Sequence, residues 1–177
     1  MRTVIRILIL FLMLCCTVPA SFTRSSGEFL TEEEITIVQT KQKIEPRVKY
    51  YLEIARLRLG SAIARLKGEE SVPGDPMEYF TPEDMLNGYY RILDSIMQNL
   101  EDAYQRPLPD SGGIKKALKE LKKRTEECRR QLDLLKVLAE EHNNGEMLRL
   151  IERAVDITAG ANEGATLALE DDTQEKE

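Results

Sequence analysis

The sequence predicts an all-α protein, an antiparallel four-helix bundle with a long, kinked first helix. Three observations predict it. Apolar residues recur at steps of three and four through four long segments. Capping residues, glycines and prolines bracket those segments. A third of the chain is charged and tryptophan is absent, a composition that suits long exposed helices better than a β-sandwich. No stretch carries a strand pattern, and no repeat of fixed period occurs.

Ahead of the bundle stands an export segment. Arg2 and Arg6 give a positive start, and Ile7 to Cys16 are wholly apolar. That run is about half of the ~20 residues a spanning helix needs. A charged start, a short apolar middle and a small-residue exit describe a secretory signal peptide. Val18-Pro19-Ala20 fits the cleavage site, with the cut between Ala20 and Ser21. The competing reading puts a lipid on Cys15 or Cys16. Lipid attachment favours a small residue before the cysteine, and Leu14 and Cys15 stand there instead, so a lipid anchor is disfavoured. The mature chain is therefore expected to begin at Ser21, to hold no transmembrane span and to reside in the periplasm or outside the cell.

Residues 21–30 are polar and read as a flexible leader. Thr31 then opens the first helix. "TEEE" has capping-box spacing and sets three carboxylates at the positive end of the helix dipole. Ile37, Ile44, Val48, Leu52, Ala55, Leu59, Ala62 and Leu66 continue with helical rhythm to Gly68, which sits where a terminating glycine belongs. Pro46 interrupts the run. An interior proline costs about 3 kcal/mol, so a kink or break is expected near Lys43 to Pro46.

A loop with two prolines and a glycine leads to Thr81, an N-cap followed by Pro82 at the first helical position. Leu86, Tyr89, Tyr90, Leu93, Ile96, Met97, Leu100 and Tyr104 make the second stripe. The third helix, from about Ile114 to Glu141, carries Ile114, Leu118, Leu121, Thr125, Cys128, Leu132, Leu135 and Leu138 close to a heptad seam. "HNNG" supplies a tight turn. The fourth helix, to about Leu169, shows Met147, Ile151, Ala154, Thr158, Ala161, Ala165 and Ala168 on one face. The bundle domain thus spans 31–169, and the acidic tail 170–177 is expected to be disordered.

Charge and chemistry narrow the function classes. Without Arg2 and Arg6, 23 basic residues face 31 acidic ones, a net charge of about −8. That argues against nucleic acid as a partner, as does the interleaving of Glu120, Glu126 and Glu127 with the basic run from Lys115 to Arg130. The single histidine, His142, lies fourteen residues from Cys128, about 21 Å along one helix. The two cannot share a metal, and His142 reads as a helix cap. Cys128 falls on the apolar seam and reads as a core residue. No phosphate loop, haem motif or carboxylate pair stands out, so no cofactor, metal or catalytic residue is expected.

Two features remain. Gly160 and Gly164, with Ala161 and Ala165 beside them, form a small-residue stretch suited to close helix packing, inside the protein or against a partner. Tyr51, Tyr89 and Tyr90 belong to a group of tyrosines that could line a pocket at one end of the bundle. The reading that follows is an exported, non-enzymatic interaction or structural module that meets a protein partner or itself. The alternative is a periplasmic bundle that binds a small ligand.

Overall fold

A computed structural model describes residues 29–107 and 109–174. Among them are five helices and no strand: α1 (Glu32–Thr40), α2 (Ile44–Leu66), α3 (Pro82–Tyr104), α4 (Ser111–Glu141) and α5 (Gly145–Gln174). The helices pack as a bundle. α2 lies against α3 and α4, α5 lies against the same two, and α1 touches α2 alone. Ala20, Ser21, Cys15 and Cys16 lie outside the described residues, as does most of the leader. The leader's last two residues are not a free tether: Leu30 is buried in the core and Phe29 packs against it.

Local chemistry sets the ends of the helices. Thr31 and Glu34 close the expected capping box on α1, with Thr31 N donating to the Glu34 carboxylate at 2.7 Å. Thr81 and Asp84 do the same for α3, with Pro82 in the first turn. Gly68 adopts φ +80° after α2, and Glu69 N reaches back to Ala64 O at 3.0 Å. That is a Schellman ending, which needs the left-handed conformation glycine accepts at no steric cost. Asn143 plays the same part after α4 at φ 51°, with Asn144 N bonded to Ala139 O. Asn144 then caps α5 through Met147 N.

The long first helix is instead two helices. Pro46 falls in the first turn of α2, where a missing N–H costs nothing. Were the helix continuous, the proline ring would meet the carbonyl of Gln42, so the chain breaks at Lys41–Lys43. α1 turns back along α2, and Lys41 Nζ sits 5.3 Å from the Tyr50 ring centroid. At the other end, α5 runs on to Gln174, past the expected start of a disordered tail.

A single core cluster joins α2 to α5. It holds the expected stripes of the four long helices, with Leu138, Ala168, Tyr90 and Met97 half-buried at its edge. Tyr104 departs from its stripe and is exposed.

Candidate functional site

Polar side chains inside an apolar bundle are the first place to seek chemistry, because each must be satisfied or carry a cost. Three groups of them occur. The first is centred on Arg58 of α2, which is 1% exposed. Its Nη2 donates to Glu34 Oε2 at 2.6 Å and to Phe29 O at 3.3 Å. Its Nη1 contacts the Met77 sulfur, and its guanidinium lies 5.4 Å from the Phe80 ring centroid. One buried cation thus ties α1, the chain before it and the loop ahead of α3 to α2. Its Nε is buried without a hydrogen-bond partner.

The second group lies at the centre, between α3, α4 and α5. Tyr89 and Thr158 are buried, with their hydroxyl oxygens 2.6 Å apart. Thr158 gives its own proton to Ala154 O, so Tyr89 is the donor between them. Cys128 is buried beside Tyr89. Burial pushes the Cys128 thiol up to about 11 and raises the Tyr89 phenol well above its ordinary value. A thiol so placed stays protonated at neutral pH.

The third group binds α4 to α5. Asn162 donates to Lys122 O at 3.0 Å and to Thr125 Oγ1 at 2.8 Å, while the buried Thr125 hydroxyl donates to Leu121 O. All three groups consume their donors internally, apart from Arg58 Nε. Among the described residues no cluster of His, Cys, Asp and Glu could hold a metal ion. His142 is an end group: its Nε2 lies 3.0 Å from Leu66 O, joining the ends of α2 and α4.

The four small residues of α5 do not share a face. Ala161 and Ala165 are buried in the core. Gly160 and Gly164 are exposed, and a Cβ built on either meets nothing within 4 Å. The tyrosines are not brought together around a cavity either. Tyr89 is spent on Thr158, Tyr51 is buried against the core, and Tyr90 lies under Arg153, whose guanidinium is 3.9 Å from the ring centroid. A cleft of about 310 Å³ instead opens where α3 ends, α4 begins and α5 runs out. Ile114, Leu118, Ala168 and Leu169 give it an apolar floor, and Tyr104, Lys115 and Asp171 a polar edge.

Sequence reasoning missed the buried Arg58 and the cross-helix bonds of Asn162, and it placed Glu34 as a capping residue without its ion pair. The signal for Arg58 was its spacing: it stands four after Ile54 and four before Ala62, in register with buried positions. Against known proteins, the chain matches no family model, and no curated protein or solved structure is significantly similar to it. No helix among the described residues is long and apolar enough to cross a membrane.

Proposed function

We propose that this is an exported, non-enzymatic module that works by association, and that its partner is a second copy of itself met through the outer face of α5. The observation that carries the reading is the pair Gly160 and Gly164, exposed and with open space before each. Interior helical glycines cost about 1 kcal/mol each relative to alanine. Among the described residues nothing uses the room they leave, whereas a second helix approaching closely would.

The same face is self-complementary. Arg149 and Arg153 stand on the amino-terminal side of the glycines, and Leu167 and Asp171 on the other, all exposed. Two copies crossing antiparallel, with Gly160 of one against Gly164 of the other, set Ile157 near the partner's Leu167 and Arg153 near the partner's Asp171. Such a contact is isologous. A single helix pair buries less than the ~1,200 Å² of a standard interface, so the dimer is weak and concentration-dependent.

The finer architecture belongs to the same proposal: an antiparallel four-helix bundle of α2 to α5, strapped by α1. Arg47 at the start of α2 bonding Asn99 near the end of α3 supports opposite directions for that pair, as Asn162 bonding Lys122 does for α5 and α4. Export rests on the amino-terminal signal pattern. Mass spectrometry of the exported chain tests it, with Ser21 expected first.

Light scattering across concentration tests the association. The protein is expected to exceed its monomer mass as concentration rises, and Gly164→Leu to remain monomeric throughout. A wild-type chain that stays monomeric at millimolar concentration overturns the proposal. The cleft at the α3–α4–α5 end favours a second reading, a small amphipathic ligand held on Ile114 and Leu118. A ligand co-purifying with the wild type and lost from Leu118→Lys would favour that reading instead.

A further inference from the structure

We infer that residues 29–40 form a latch that opens as one unit at Lys41–Lys43 while the bundle of α2 to α5 stays folded. The inference is independent of association through α5. α1 buries none of its residues, and among the described helices it touches α2 alone. Its nine residues fall below the ~12–15 at which a helix is even marginal in isolation. α1 therefore exists only while docked.

Beside the apolar packing of Leu30, Ile35 and Val38, its polar anchorage to Arg58 runs through one carboxylate. Glu34 closes the capping box of α1 and also bonds the buried Arg58. Losing that contact removes the cap and the anchor together, so the segment lets go as a unit and not residue by residue. Leu30 and the Phe29 carbonyl leave with it, since both are held at the same place. Arg58 retains a seat when the latch departs, because Met77 and Phe80 belong to the bundle side. Departure of α1 also opens to water the side of the guanidinium that Glu34 covered, which limits the cost of leaving the charge unpaired. The hinge cannot wind into one long helix, because Pro46 forbids a helix through Gln42. The open form presents an arginine at the edge of the apolar surface that Ile35 and Val38 had covered.

Native-state hydrogen exchange on the full chain tests this. Amides of residues 35–40, the ones bonded within α1, are expected to exchange together, at least tenfold faster than those of residues 86–100, 117–135 and 151–165. Glu34→Gln keeps a capping acceptor but removes the charge. It is expected to speed residues 35–40 a further tenfold and leave the three core segments unchanged. Thr31→Ala, which removes the cap and leaves the ion pair, is expected to speed the same residues. The latch is overturned if residues 35–40 exchange at the core rate in the wild type. It is also overturned if Glu34→Gln speeds every helix alike or moves none.

Discussion

The hydroxyl of Tyr89 on α3 donates to the hydroxyl of Thr158 on α5 across 2.6 Å in the dry centre of the bundle. Thr158 has already given its proton to Ala154 O. The two residues are therefore unequal. Thr158→Val leaves the buried phenol without its oxygen acceptor and is expected to cost about 1–3 kcal/mol. Tyr89→Phe leaves a spare lone pair on Thr158 and removes the phenol's contact with the Cys128 thiol, strands no buried donor of its own, and is expected to cost about 1 kcal/mol. Urea unfolding at neutral pH of the two variants gives the order. A larger loss from Tyr89→Phe would reverse the assigned donor.

Cys128 links stability to pH. Its thiol is raised to about 11 in the folded protein by burial, above the ordinary value of about 8.5 expected in the unfolded chain. The folded state therefore holds a proton that the unfolded state gives up. Its contribution is complete below about pH 8 and is lost as pH rises through 11, at up to about 1.4 kcal/mol per pH unit. Cys128→Ala removes that slope. Denaturation midpoints at pH 7, 9 and 10.5 for both proteins are expected to converge as pH rises. Parallel declines would show that the thiol is not protected.

Gly160 and Gly164 offer a gain. Each has a helical environment and open space for a methyl group. Gly160→Ala and Gly164→Ala are each expected to raise monomer stability by about 0.5–1 kcal/mol. Measured at low micromolar concentration, this is independent of association. A loss at either site would mean the backbone there departs from the helix.

Asn143 is the one residue among those described, other than glycine, with positive φ. The left-handed conformation costs an ordinary side chain about 1 kcal/mol or more and glycine nothing. Asn143→Ala is expected to lower the thermal midpoint, and Asn143→Gly to hold or raise it. Equal midpoints for the two would place the turn's stability elsewhere.

What could be read in the sequence was local. The capping box at Thr31, the N-cap at Thr81, the terminating Gly68 and the heptad seam of α4 follow from spacing and residue type alone, and all four stand in the structure. What could not be read depended on how elements meet. Pro46 marked a break, but it carries no information about direction, so the return of α1 along α2 was out of reach. A buried role for Arg58 is not legible in sequence from residue type, because charge is usually exposed and its counter-ion lies 24 residues away on another helix. The glycines of α5 were grouped with Ala161 and Ala165 by composition. The 100° step between neighbouring residues separates them, turning the alanines inward and the glycines outward. Tyr89 and Tyr90 part for the same reason: they are adjacent in sequence, so one enters the core and the other reaches its rim.

Association through α5 is tested most directly by a charge exchange across the proposed two-fold contact. Sedimentation equilibrium would be run on the wild type, Arg153→Glu, Asp171→Arg and the double variant. Each single change sets like charges opposite each other in the antiparallel pairing and is expected to weaken the dimer about tenfold, while the double variant recovers wild-type affinity. Single variants that dimerise like the wild type, or a double variant weaker than either, would contradict a contact centred on Gly160 and Gly164.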